Sequence, residues 1–173
     1  MRLRAVLFDL HGVISDGGPA DRHGRFAERE GCGDLVRGLA RAGVTMAVGT
    51  SDRAGAALAI LEDLGLRLFF AGAVGAEEVK RLKPSPEVYQ KALALTGARL
   101  DEAVVIDDTP HGVEAGRAAG LVVVAAPQPG EWPAWRLRGA AHLRVDSLRE
   151  LDVRVLNDLL CRVRGAADGR EPS

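Results

Sequence analysis

Aromatic side chains are scarce in this sequence. They make up 4% of its 173 residues, with one tyrosine, two tryptophans and four phenylalanines, so a core has to be assembled from Ala, Val and Leu. Cysteine is rarer still. Cys32 and Cys161 belong to no CxxC or Cys/His cluster and read as free thiols of a reducing compartment, not as a disulfide framework. Neither sign of charge dominates: 23 Lys and Arg stand against 24 Asp and Glu, for a net charge of −1. The chain therefore lacks the basic field that draws nucleic acid or an anionic membrane surface. Long apolar runs are missing too. The run after Met1-Arg2-Leu3-Arg4 stops at Asp9 after about six residues, too short for a signal core or a membrane span, and a cytoplasmic location is expected. No GxGxxG follows that run, which argues against a dinucleotide site.

What is present has the balance of an ordinary soluble domain, with 47% apolar and 27% charged residues. The length suits one domain, taken as residues 1–163. The polar, Gly- and Pro-containing tail 164–173 is expected to be disordered. Short apolar runs at 5–8, 44–48, 71–74, 103–106 and 121–125 read as buried strands. Helical patterns lie between them: Leu35, Leu39 and Ala42 share a face, as do Leu58, Leu61 and Leu64, and residues 87–95 and 113–119 also fit. Residues 147–162 read as one closing helix with Leu148, Leu151, Val155 and Leu159 on its apolar side. This alternation predicts an α/β fold, a doubly wound three-layer sandwich around a mostly parallel sheet.

In such sheets ligands sit outside the carboxyl ends of the strands. Three of the strands end there in polar residues: Asp9, Thr50 and the pair Asp107-Asp108. Asp9 alone could be a turn or a helix cap. Adjacent carboxylates such as Asp107 and Asp108, however, repel unless a cation or hydrogen bonds hold them. Three converging carboxylates suit Mg²⁺. Thr50 opens a helix for which Ser51 or Asp52 is the expected cap; a hydroxyl and free N–H groups at a helix start bind phosphate oxygens well, though plain capping would use them as readily. Ser85 is expected to cap the next helix with Pro86 at its first position. Pro84 holds Lys83 extended, so the ammonium can be aimed inward. Thr109-Pro110 repeats the cap-then-proline device. Gly12, Gly49 and Gly112 mark tight backbone turns near these residues.

The segments VLFDLHGVISD, AVGTSDRAGAALAILEDLGL, KRLKPSPEVYQKAL and VVIDDTPHGVEAGRAAGLVVVAAP, in this order, resemble the haloacid dehalogenase superfamily of phosphatases. The likeness is to its β-phosphoglucomutase-like branch and runs from residue 3 to about residue 150. It implies a carboxylate nucleophile, Asp9, that forms an aspartyl-phosphate. Lys83 and Mg²⁺ would offset the charge on nucleophile and phosphoryl oxygens. Asp108 would be the main acidic metal ligand after Asp9, Asp107 a direct or indirect partner, the backbone carbonyl of His11 a further ligand, and Thr50 the holder of the phosphoryl group.

Two departures qualify the resemblance. The family's acid/base Asp, two residues after the nucleophile, is His11 here. Imidazole is a plausible acid/base near neutrality; without one, turnover falls by about 10²- to 10⁴-fold while phosphate binding survives. The alternatives are a non-catalytic phosphate- or partner-binding protein and a haloacid-type dehalogenase. A receiver-type phosphoacceptor is disfavoured because the lone Asp precedes the acidic pair. The second departure is size. Only 40 residues separate Asp9 from Thr50, which leaves residues 15–33 for a loop and one short helix instead of a cap domain. An open, capless site suggests a large phosphorylated substrate or the neighbouring subunit of a homo-oligomer as lid. No membrane partner is expected, and a nucleic-acid one is the least favoured by charge. His23, His111 and His142 lack metal-ligand spacing and read as solvated or capping residues. Arg136, Arg138 and Arg144 read as a solvated face, and Trp132 and Trp135 as a plug or contact surface in a loop.

Overall fold

The computed structural model of the chain describes residues 2–128, 130 and 140–167. The expectations for Trp132, Trp135, Arg136 and Arg138 lie outside these residues. The apolar runs become β1 (Ala5–Phe8), β2 (Thr45–Gly49), β3 (Phe70–Val74), β4 (Ala103–Asp107) and β5 (Val122–Ala125), and a sixth strand, β6 (Leu143–Arg144), joins them. They form one sheet in the order β3-β2-β1-β4-β5-β6, and every ladder is parallel. The connecting helices are α1 (Cys32–Arg41), α2 (Ala54–Asp63), α3 (Glu87–Thr96), α4 (Pro110–Ala118) and α5 (Val153–Ala167).

The continuous apolar runs are explained by two cores, one on each side of the sheet. Val6, Phe8, Met46, Val48, Val104, Ile106, Val122 and Val124 point into one core, with α1, α2 and α5. Leu7, Ala47, Val105 and Val123 point into the other, against Val88, Tyr89 and Ala92 of α3 and Val113 and Ala115 of α4. Alternate residues of one strand thus serve opposite layers, as a doubly covered parallel sheet requires. The chain runs outward from β1 to β3, then crosses back to β4 and continues to β6. The order therefore reverses between β1 and β4, and crevices that hold ligands form at such a switch point.

Several local expectations are corrected. Residues 147–162 are not one helix. Ser147 accepts the Arg149 N–H at 3.2 Å and Glu150 reaches back to the N–H groups of Asp146 and Ser147 at 2.8 Å, closing a 3₁₀ turn at Leu148–Glu150. Asp152 then accepts the Val155 N–H at 2.8 Å as α5 begins. Two start signals in succession make two elements. The helix continues past Arg164 to Ala167, so the first part of the expected disordered tail is helical, and residues 168–173 lie outside the described residues. Neither Ser51 nor Asp52 caps α2; the Ala54 N–H is met by the Glu77 carboxylate, at 3.1 and 3.3 Å. Ser85 makes no cap bond to α3. Thr109 does cap α4, accepting the Gly112 N–H at 3.1 Å with Pro110 in the first turn. His142 is half-buried and is not a helix cap: its Nδ1 accepts the Val123 N–H of β5 at 2.9 Å. No described helix is long and apolar enough to cross a membrane.

Between β1 and α1, residues 9–31 contain no helix, only the isolated bridges His11–Ser15 and Ser15–Glu28. Arg29 fixes this loop. Its side chain is buried, 6% exposed, and its guanidinium donates to the carbonyls of Gly12, Ala126 and Pro127, the last at 3.2 Å. One side chain thereby ties the turn after β1 to the segment after β5. Arg29→Met is expected to lower the unfolding free energy measured in urea by about 3 kcal/mol, because buried carbonyls that lose a donor cost about 1–3 kcal/mol each.

Candidate active site

Parallel pairing of β1 with β4 brings their acidic ends together. The Asp9 N–H donates to the Ile106 carbonyl at 3.0 Å, so Asp9 emerges beside Asp107 and Asp108. Oxygens of these three carboxylates lie within 4.8 Å of one another. Missing side chains make the room. Gly12 has φ +84°, and a Cβ there would lie 1.9 Å from Asp108 Oδ2; a Cβ on Gly112 would lie 1.8 Å from Asp107 Oδ2.

Lys83 enters from the turn before α3, and its ammonium points inward as expected. Its side chain is 6% exposed. Nζ donates to Asp9 Oδ1 at 2.5 Å, to Asp107 Oδ2 at 2.9 Å and to the Tyr89 hydroxyl at 2.8 Å. Asp107 is more heavily engaged than its place in the sequence suggests. Oδ2 accepts from Lys83 and from the Tyr89 hydroxyl, and Oδ1 accepts from the N–H and hydroxyl of Thr109, both at 2.9 Å. All four lone-pair positions of the carboxylate are taken, so Asp107 would have to release a donor before it could ligate a metal directly.

Burial pushes the Asp9 carboxyl up to about 7, against the attraction of Lys83 and with the charge of Asp107 adding to the rise. Burial alone would lower Lys83; the carboxylates of Asp107 and Asp9 overcome it and hold the ammonium above its ordinary value. Tyr89 is held far above its ordinary range, by burial first and Asp107 next, so its hydroxyl stays protonated and can donate.

His11 lies beside this cluster in an unexpected setting. Nδ1 is 2.8 Å from Ser15 Oγ, Nε2 is 3.2 Å from Asp52 Oδ2, and the ring packs on Phe26 with centroids 4.7 Å apart. The Ser15 side is buried, whereas the side chains of His11 and Asp52 are 35% and 52% exposed. Asp52, expected as a helix cap, instead joins the loop after β2 to the loop after β1. Thr50 follows β2 at the same sheet edge and is buried; its Oγ1 accepts the Asp52 N–H at 3.1 Å. The contact of Tyr89 with Asp107, those of Ser15 and Asp52 with His11, and that of Arg29 with the Gly12 carbonyl are not apparent from the sequence. Only Tyr89 carried a usable signal, since a lone tyrosine in an Ala/Val core needs a partner for its hydroxyl.

The haloacid dehalogenase-like hydrolase family matches residues 19–126, well over half of the chain, and the chain belongs to that family. The matched span contains Thr50, Lys83, Asp107 and Asp108 and begins after Asp9. Among curated relatives, fructose-1-phosphate phosphatase YqaB of Escherichia coli is 39% identical over 79 residues, covering 46% of this chain and 42% of that protein. Pyrophosphatase PpaX of Listeria welshimeri is 33% identical over 104 residues, 60% of this chain and 44% of that protein. The chain spans less than half the length of these relatives. The fold is shared with the β-phosphoglucomutase of Clostridium difficile, at a TM-score of 0.79 and 15% identity over 94% of this chain and 99% of that one.

A carboxyl raised on folding stabilises the protein while protonated and destabilises it once ionised. Metal-free protein is therefore expected to lose stability as the pH rises from 3.8 through about 7. Urea midpoints across this range should show that loss in the native chain and not in Asp9→Asn.

Proposed function

We propose that the protein is a Mg²⁺-dependent phosphohydrolase that works through an aspartyl-phosphate on Asp9. The observation that carries this reading is the meeting of Asp9, Asp108 and Asp107 with one buried ammonium, Lys83, at the switch point of the sheet. The three carboxyl groups supply hard oxygen donors within 4.8 Å of one another, which fits Mg²⁺. Asp9, Asp108 and the His11 carbonyl would hold the ion, with Asp107 engaged by Lys83, Tyr89 and Thr109. When bound, Mg²⁺ would neutralise charge on the phosphoryl oxygens and favour the ionised form of Asp9.

The chain's own residues supply the rest. An Asp9 oxygen attacks phosphorus as the bond to the leaving oxygen breaks, and Lys83 holds that carboxylate in place while offsetting its charge. The Thr50 hydroxyl donates its proton to a phosphoryl oxygen while its oxygen accepts the Asp52 N–H. His11 gives a proton from Nε2, its more accessible nitrogen, to the leaving oxygen. It later accepts one from the water that attacks phosphorus and frees Asp9. Asp52 and Ser15 hold the ring between them. The names of the relatives support a small phosphorylated molecule as substrate. The helix-free loop over the site supports an open, capless edge, where a larger phosphorylated partner or a second copy of the chain could sit.

A second reading, a phosphate-binding protein with damped or no turnover, is favoured by one feature: both imidazole nitrogens of His11 are already engaged. Turnover of p-nitrophenyl phosphate and acetyl phosphate is expected to require Mg²⁺, to stop with EDTA and to drop to background in Asp9→Asn. Metal-independent turnover, or a fully active Asp9→Asn, would remove the first reading. His11→Ala should slow alkyl phosphate hydrolysis by about 10²-fold and acetyl phosphate hydrolysis much less, since an acyl phosphate leaving group needs no proton. A His11→Asp variant faster than the native protein by orders of magnitude would favour the second reading.

A further inference from the structure

The hydroxyl of Tyr89 takes no part in the proposed chemical steps, yet it sits inside the charged cluster. Tyr89 is the only tyrosine of the chain and is fully buried. It rises from the first turn of α3, six residues after Lys83. Gly49, at the end of β2, admits its ring: a Cβ there would lie 2.9 Å from the ring carbons. The ring also faces the ammonium, with Nζ 4.6 Å from its centroid.

We infer that Tyr89 is a positioning residue whose hydroxyl, accepting from Lys83 and donating to Asp107, sets the direction in which the Lys83 ammonium faces Asp9. An ammonium has three donors, and here they go to Asp9, Asp107 and Tyr89. Three acceptors in fixed places define one orientation for a side chain with four rotatable bonds; two would leave it free to swing about the line between them. The tyrosine hydroxyl has one proton to give, and Asp107 receives it. The same oxygen atom therefore orients the cation and secures the carboxylate on its far side. A phenylalanine would fill the same space beside Gly49 and keep the ring against the cation, but would leave one N–H of Lys83 without its acceptor and Asp107 with one donor fewer. The packing role of the ring and the positioning role of the hydroxyl are thus separable by a single atom.

The rate readout of this inference rests on the phosphohydrolase reading; the spectroscopic one does not. Tyr89→Phe is expected to lower kcat about tenfold with KM within about twofold, as for the loss of one hydrogen bond to a charged group. In a Lys83→Met background the same substitution should cost nothing further, because it acts through Lys83. A change in KM alone, or the full tenfold loss in both backgrounds, overturns the inference. Tyrosine labelled with ¹³C at Cζ gives one resonance from this chain. It should shift between native protein and Lys83→Met without any metal or substrate added, and an unshifted resonance overturns the inference. If the native protein turns over no phosphate ester, which would remove the phosphohydrolase reading alone, beryllofluoride affinity in the presence of Mg²⁺ replaces kcat. Tenfold weaker binding by Tyr89→Phe then supports positioning, and equal binding overturns it.

Discussion

The site depends on one buried ion cluster, the Lys83 ammonium held between Asp9 and Asp107. Each charge taken out of water costs several kcal/mol, and attraction offsets this only where geometry and hydrogen bonding are complete. Lys83 meets that condition by spending its three donors on three acceptors, and Asp107 by filling its four acceptor positions; Asp9 meets it only in part, and burial still raises its carboxyl. Without the ammonium two buried carboxylates would face each other with nothing between them. The surrounding structure can be read as what keeps that cation in place: the turn that carries Lys83, the helix that carries Tyr89, and the Thr109 cap. Thr109 uses one hydroxyl twice, donating to Asp107 and accepting from Gly112, and so couples the start of α4 to the charge at the end of β4.

The second constraint is space. The acidic residues occupy volumes that any side chain at positions 12 and 112 would fill. The loop after β1 is held from two sides: Leu10, Val13 and Ile14 are buried in the core, while Arg29 donates to three carbonyls, Gln128 donates to the Asp16 carbonyl at 2.6 Å, and His11 bridges Ser15 and Asp52. Apolar anchors and polar ties together let a segment with neither helix nor strand keep its shape beside the acidic residues.

Much of this was legible in the sequence because it follows from short-range rules. Apolar runs cut off by Asp9, Thr50 and Asp107-Asp108 gave both the strands and the edge where chemistry gathers, and proline placed the start of α4. What escaped reading depends on partners distant in sequence. Glu77 captures the first N–H of α2, so Asp52 is released from capping and meets His11. Asp107, expected as a direct or indirect partner of the metal, is engaged by Lys83, Tyr89 and Thr109, none of which its place in the sequence reveals. The buried Arg29 is the plainest case. Nothing local distinguishes it from a solvated arginine, since its acceptors are main-chain carbonyls, which every residue has. The two-residue β6 lies below the run length at which a strand pattern can be recognised.

The ion cluster also has a consequence for how the chain comes into being. Asp9 directly follows the first strand, its ammonium partner is 74 residues further on, and Asp107 another 24 beyond that. During synthesis β1 emerges early with a carboxylate that cannot be buried favourably, and its neighbour on the other side, β4, follows only after β2 and β3. Contacts of such separation close late and slowly. The central strand of the sheet is therefore the first made and among the last secured, and a nascent chain halted before residue 83 exposes an apolar edge whose polar end has no counter-charge.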